Sequence, residues 1–300
     1  MDEVEARLSA WGERGYAAAS GVETFYQSPG ADERDDAVAT MIFNAWLPRV
    51  LKAVFDDEGL PGIWQGSGGR VRALSRFLSG RGEGNPGGLA SWNPETGESA
   101  FFDVLGTDEI EQSDGLILQA LFDALAFLEG PGAGPGEGGF ATTEMDAWLW
   151  GLRHQVRFES LLAEFLGDDP VYALLTDAFA IDTSVLPLAE GFEPGDPRSA
   201  LRWFPRDGDQ YGVDAANPGF SGVRFTHGSG PVMRMVIALN RGEVSGQNVI
   251  PGGQSGLTDS EHFADQAALW LGNEALPLRF HVEDVAAGAS GRAVFFPVEE

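Results

Sequence analysis

Apolar residues recur at three- and four-residue intervals through roughly the first 130 positions and then give way to alternation towards the C-terminus. Residues 2–19 read as a short helix with Val4, Leu8 and Trp11 on one side. After a loop through Ser28, Pro29 and Gly30, Asp35 or Asp36 can cap a second helix burying Val38, Met41, Ile42, Ala45, Val50, Val54 and Phe55. Pro48 has no N–H to donate, so a kink near Asn44 or a break is expected, with Gly59 at the end. Residues 61–69 read as loop, 70–79 as a modest basic helix through Arg70, Arg72 and Arg76, and 80–88 as a flexible connection. Ala100 to Leu105 is apolar and too short to assign. Ile117, Ala120, Leu121, Ala124, Leu125 and Leu128 set the next helix at 113–129.

Gly130 to Gly139 is nearly all Gly, Pro and Ala, the composition of a linker. It divides a mostly helical segment, 1–130, from a strand-rich one, 140–300, with 131–139 between them as parts of one larger domain. A small helix is expected near Leu161–Leu166. Met233, Met235, Ile237 and Leu239 alternate with Val232, Arg234, Val236 and Ala238 as in a packed strand. Asn240-Arg241-Gly242-Glu243 can turn that strand back into 244–250. Pro251 to Trp270 reads as a glycine-rich turn feeding a helix, because Thr258 and Glu261 have capping-box spacing and Phe263, Ala267, Trp270 and Leu271 recur before Gly272. Leu276, Leu278, Phe280 and Val282 predict a further strand, and 292–298 a last one. The class is α+β.

Charge changes the picture more than size does. Nineteen basic against 46 acidic residues leave −27, a surface that repels nucleic-acid phosphates and anionic membranes, so neither is expected as a partner. The absence of cysteine removes disulfides, thiol catalysis and thiolate metal sites. MDEVEARLSAWGERG is charged rather than a basic segment followed by an apolar run, so no secretory signal is read there, and the compartment stays open.

Candidate chemistry is sparse. His154, His227, His262 and His281 are scattered, with no HExxH. His262 and Asp265, three apart, suit a structural tie between loop and helix. Asp207-Gly208-Asp209 is too short for a calcium loop, and GGQSG is no nucleophile elbow because Leu257 takes the final glycine's place. Trp46, Trp148, Trp150 and Trp270 suit a core. A binding or scaffold protein, or a hydrolase built on Ser255, remains open at this level.

Several motifs nevertheless carry a likeness. Gly252, Gly253, Gln254, Ser255 and Gly256, followed by Ser260, His262, Asp265 and Gln266 before a tryptophan, resemble the C-terminal region of the penicillin acylase (penicillin amidase) family. Glu261 and Phe263 stand where that family usually has proline and tyrosine. WGLRHQVRF, from Trp150 to Phe158, resembles its Trp-Gly-x-x-His element, with Gly151 and His154 in register. FPRDGDQYGVDAA (204–216) resembles a Gly-Asp-rich turn, and GPVMRMVIAL (230–239) a Gly-x-Ser-x-Arg-Met-Val strand with Arg234, Met235 and Val236 in place. Ala238 and Val232 depart from the usual aspartate and serine. The likeness covers 140–300 well; the front, with Asn44-Ala45-Trp46, is compatible.

The resemblance implies an N-terminal-nucleophile hydrolase, with this chain supplying the C-terminal part of an αββα sandwich. In that family a serine freed by self-cleavage attacks, and its own α-amine serves as base; the sequence expected there is Gly-Ser-Asn. None occurs: Gly66-Ser67 and Gly228-Ser229 are each followed by glycine, and the chain begins Met1-Asp2. No catalytic, cofactor-binding or metal residue is therefore carried over, and the calcium of the complete enzymes is expected to find most of its ligands upstream. The expectation is a C-terminal portion of the large subunit (a truncated, split or decayed gene), inactive alone. Its partner would be an upstream polypeptide bearing the nucleophile. Its substrate would be a small N-acyl compound, a β-lactam side chain or an acyl-homoserine lactone, and relatives are commonly exported to the periplasm. The alternative is a non-catalytic binding or scaffold protein derived from that fold.

Overall fold

A computed structural model describes residues 1–59, 67–134, 136–166, 170–189, 195–210, 217–230, 232–291 and 293–296. Its elements are helices and small antiparallel sheets, so the chain is α+β. Contacts gather into two units, Met1–Arg157 with Leu188–Gly230, and Phe158–Pro187 with Pro231–Glu300. This is not the division that composition suggests.

The first unit is built on helix α2 (Ala31–Phe55), against which α1 (Asp2–Glu13), α3 (Ser67–Ser79) and α4 (Ser113–Glu129) pack. One half of α2 gives Ala37, Val38, Met41, Ile42 and Ala45 to a core shared with Val4, Leu121, Ala124, Leu128, Trp148, Trp150 and Phe225. The other half gives Val50, Leu51, Val54 and Phe55 to a second cluster with Leu74, Phe102 and Ala120. That two-sided burial explains why Pro48 does not break the helix, which runs continuously through it: packing on both flanks outweighs one missing backbone bond. By length and composition α2 could cross a membrane, but most of it is buried inside the fold, as in a core helix. Its cap also differs from expectation. Gly30 is the N-cap, its N–H held by the Glu33 carboxylate at 2.7 Å, while Asp36 is buried and accepts from Arg14 Nε at 2.8 Å. The 61–66 part of the expected loop lies outside the described residues, and 67–69 already belong to α3.

The glycine-rich stretch expected as a linker is a packed hairpin instead. Strand β3 (Gly132–Gly134) pairs with β4 (Glu137–Gly138), beyond the two-stranded β1 (Trp92–Asn93) and β2 (Glu98–Ser99). Arg153 clasps the hairpin, donating to the Gly138 and Gly139 carbonyls and covering the Phe140 ring at 4.3 Å. A side chain at Gly139 would lie 2.2 Å from the Phe127 carbonyl oxygen and 2.5 Å from that of Gly130. Glycine serves close backbone approach here, not flexibility.

In the second unit α5 (Ala163–Leu166) and α6 (Ala173–Ala178) are short, and a three-stranded sheet runs in the order β7 (Arg234–Asn240), β8 (Glu243–Val249), β9 (Leu276–Leu278). Asn240 pairs with Glu243 across Arg241-Gly242, as the sequence suggests. Strand β9 stops at Leu278, and Val282 opens helix α8 (Val282–Ala287) rather than prolonging the strand. Residues 293–296 form no strand; 292, 297 and 298 lie outside the described residues. The helix expected from Thr258 shrinks to α7 (Ala267–Leu271). Serine hydroxyls compete for the backbone upstream: Ser255 Oγ accepts from Leu257 N–H at 3.1 Å and Ser260 Oγ from His262 N–H at 3.2 Å, closing turns where helical bonds would form.

Two substitutions test the reading of the glycines. Gly139→Ala should lower stability by about 1–3 kcal/mol through overpacking. Gly115→Ala, in α4 with nothing within 4 Å of the added carbon, should be neutral or raise stability by up to about 1 kcal/mol. Urea unfolding of both variants decides it; equal tolerance at the two positions would make the hairpin the spacer that its composition implies.

Candidate functional site

Each unit carries one polar cluster built from the motif segments. In the first, β5 (Gln155–Val156) pairs with β6 (Phe204–Pro205), bringing the Trp150–His154 turn against the segment after β6. Gly151 N–H bonds the Ser20 carbonyl at 2.8 Å, and a side chain at Gly151 would meet Ser20 Oγ at 2.1 Å. Trp150 stacks on His154 with centroids 4.6 Å apart and donates from Nε1 to the Gly208 carbonyl at 2.9 Å. His154 is wholly buried. Its Nδ1 lies 2.6 Å from the Phe225 carbonyl, which can only accept, so Nδ1 carries the proton and Nε2 a bare lone pair. That Nε2 meets no donor among the described residues. Burial, with smaller contributions from His227 and Arg206, drives the His154 pKa down to about 3, so the ring stays neutral at ordinary pH.

The second cluster holds the remaining motif residues. The Gly252 carbonyl accepts from Gln266 N–H at 2.9 Å, and the buried Gln266 side chain accepts from Ile250 N–H at 3.2 Å. A side chain at Gly253 would lie 1.9 Å from the His262 carbonyl oxygen, the atom that Ser255 N–H bonds at 3.0 Å. The tie between His262 Nδ1 and Asp265 is present at 2.9 Å, on the surface, and Glu261 stands 3.8 Å from Nε2. Arg234 donates to the Trp270 carbonyl and to Asn273, and its guanidinium sits 4.3 Å from the Trp270 ring centroid. Trp270 Nε1 in turn donates to the Val232 carbonyl at 2.8 Å. Gln254 and Gly256 complete the loop without a side-chain bond of note. Gly151 and His154 thus belong to one unit, and Arg234 with the 252–266 residues to the other.

Nucleophilic chemistry is not assembled in either cluster as described. Ser255 Oγ accepts from Leu257 N–H, and His262 bonds Asp265 through Nδ1; no hydrogen bond joins the Ser255 hydroxyl to the His262 ring among the described residues. A cavity of about 530 Å³ in the first unit, large enough for a small ligand, is floored by Val22, Val38, Leu149 and Leu152; its lining contains no serine, threonine, lysine or histidine. Among the described residues no three His, Asp or Glu side chains gather as a metal ligand set. Sequence reasoning missed Arg153 and Tyr26. Tyr26 donates to the Pro205 carbonyl at 2.8 Å, and burial pushes its hydroxyl pKa far up.

The penicillin amidase family model matches residues 6–287. The chain belongs to the penicillin amidase family. The match takes in the helical front as well as the segment from 140 onwards, where the motifs are concentrated. Of the curated proteins compared with it, none matches.

Two titrations follow from the clusters. His154 has a folded pKa below its unfolded value near 6.5, so the unfolded chain binds the extra proton between them. Its contribution is complete above about 6.5 and is lost as pH falls towards about 3, at up to about 1.4 kcal/mol per unit. His154→Asn, which can still donate to Phe225, should flatten the stability profile between pH 6 and 4 by that slope; unchanged profiles would show that the imidazole is solvated. His262, exposed and hydrogen-bonded to Asp265, has its pKa raised. Its NMR titration should have a midpoint above 6.5 that falls back in Asp265→Asn; coincident curves would dissolve the tie.

Proposed function

We propose that the chain is the C-terminal portion of the large subunit of an amidohydrolase that cleaves a non-peptide amide. The complete enzyme would be an αββα sandwich of the N-terminal-nucleophile type. Candidate substrates are small N-acyl compounds: a β-lactam side chain, an acyl-homoserine lactone or a similar acylated amine. An upstream polypeptide supplies the attacking serine, whose α-amine takes the hydroxyl proton as the acyl carbon is attacked and later returns one to the departing amine. In this reading the residues of each cluster hold backbone in place within their own unit and do not react.

The observation that carries this reading is the family match over 6–287 in a sequence without Gly-Ser-Asn. The sheet of the second unit agrees with it. Strand β7 has no second partner strand among the described residues, and apolar side chains stand exposed on both of its faces: Val236 at 71%, Leu239 at 82% and Met235 at 50%. A strand apolar on both faces is suited to burial between two layers.

Co-expression with the polypeptide encoded immediately upstream tests the proposal. The chain alone should leave chromogenic N-acyl anilides intact, and the copurified complex should hydrolyse them and lose that activity when the upstream serine is changed to alanine. Turnover by the chain alone would overturn the assignment of the nucleophile. A stable complex without amide hydrolysis, together with a single cooperative melt of the chain by itself, would favour the scaffold reading.

A further inference from the structure

The basic helix read in the sequence has no part in either cluster, and its charge is unusual for this chain. Between Gly59 and Gly82 the sequence has four arginines and no acidic residue, in a molecule with 46 acidic residues against 19 basic ones. Helix α3 is amphipathic along its length. Leu74 is buried, and Val71, Phe77 and Leu78 pack with it against Val50, Leu51, Val54 and Phe55 of α2. On the opposite side Gly68, Arg72, Ser75, Arg76 and Ser79 follow three- and four-residue spacing and stand exposed.

The arginines at the two ends of this stretch are already engaged. Arg70 donates to Asp56 at 2.8 Å and lies over the Phe55 ring, and Arg81 donates to Asp114 at 2.6 Å and to Ser113 Oγ at 2.9 Å. Arg72 and Arg76 reach only backbone carbonyls, those of Gly68 at 3.2 Å and Gly87 at 3.5 Å, and meet no carboxylate among the described residues. Two guanidiniums four residues apart on a helix repel each other, and no acidic neighbour relieves them. Elsewhere the acidic excess does reach its cations: Arg7, Arg14, Arg198 and Arg224 each hold at least one carboxylate. The pair on α3 therefore presents unneutralised cations that carboxylates of a partner can complete.

Three features select the occupant. The net charge of −27 repels polyanions at range, which sets aside nucleic acids and anionic vesicles. The exposed face runs from Gly68 to Ser79, roughly 16 Å of helix, the length of a bound segment and not of a point ion. A guanidinium meets a carboxylate through a fork of N–H groups, as Arg198 does with Asp196 in this chain. We propose that this face of α3 docks an acidic segment of a partner polypeptide, Arg72 and Arg76 each taking one carboxylate, with Ser75 and Ser79 alongside. The inference does not depend on the amidohydrolase reading, because the face lies outside both clusters and touches no substrate.

The full chain is titrated into a fluorescein-labelled octaglutamate peptide at low salt, with an octaglutamine peptide as blank, and anisotropy is followed. Octaglutamate should bind saturably and octaglutamine should not, and the affinity should fall as salt screens the charges. Arg72→Gln and Arg76→Gln should each weaken binding about two- to fivefold, and the double variant about tenfold. The double variant should melt no lower than the parent, because the repulsion between the two cations is gone. Arg241→Gln, which removes an exposed charge from the β7–β8 turn, should leave binding unchanged. Binding that survives the double variant, or that falls as much in Arg241→Gln, would reduce the effect to diffuse attraction and overturn the proposal. Displacement of the peptide by inorganic phosphate at matched ionic strength would also overturn it, by marking a point-anion site. So would a dimer of the chain alone that the double variant abolishes, which would give the face to a second copy.

Discussion

The first unit depends on one hydrogen bond, from His154 Nδ1 to the carbonyl of Phe225. An imidazole without solvent contact must be neutral and must keep one tautomer, and the Phe225 carbonyl selects it. Once the ring is fixed, Trp150 can stack on it and reach the Gly208 carbonyl, and the His154 carbonyl can accept Arg206 N–H at 3.0 Å. Three stretches that are not neighbours in sequence are registered by side chains that spend their polar atoms on backbone. That use explains how a motif tryptophan and histidine can matter to the fold without offering a proton to a substrate.

The second unit solves the same problem with a cation. Arg234 covers the Trp270 ring and donates to the carbonyl of the same residue, so the end of α7 is held against β7 through both its ring and its backbone. Trp270 Nε1 returns a bond to Val232, and Phe158 packs edge-on against the ring at 5.5 Å. A planar, permanently charged fork can satisfy a carbonyl and stack in one geometry; a lysine cannot. Gly253 then follows from crowding, since the His262 carbonyl occupies the space its side chain would need, whereas Gly256 has open space.

What the sequence made legible was whatever periodicity alone decides. Helix α4 was read at its observed limits, the β7–β8 hairpin at its turn, and every residue named for the buried face of α2 is buried, while α1 stops at Glu13 rather than running to 19 and leaves Leu8 half-buried. The failures share a cause, which is that the deciding partner lies far along the chain. Glycines 130–139 look flexible until the carbonyls of α4 and the guanidinium of Arg153 come within reach. Thr258 and Glu261 have the spacing of a helix start, but Ser255 and Ser260 capture the local N–H groups first. Asp36 looks like a cap until Arg14, 22 residues earlier, claims it. Of the motif residues, the His262–Asp265 tie was legible because it is local; the burial of His154 and the Arg234–Trp270 stack were not, because each needs the assembled unit.

The sheet of the second unit places one more condition on any complete molecule. Strand β7 alternates Met235, Ile237 and Leu239 with Val236 and Ala238, so neither face is made for water. The side chains on it are exposed, while the chain as a whole carries −27. Two such chains approaching each other must overcome long-range repulsion before any apolar contact is gained. A surface that is apolar at short range and acidic at long range therefore resists pairing with its own copy. The same argument makes ionic strength informative: salt that screens the acidic field lowers the barrier to self-association and leaves the apolar attraction in place.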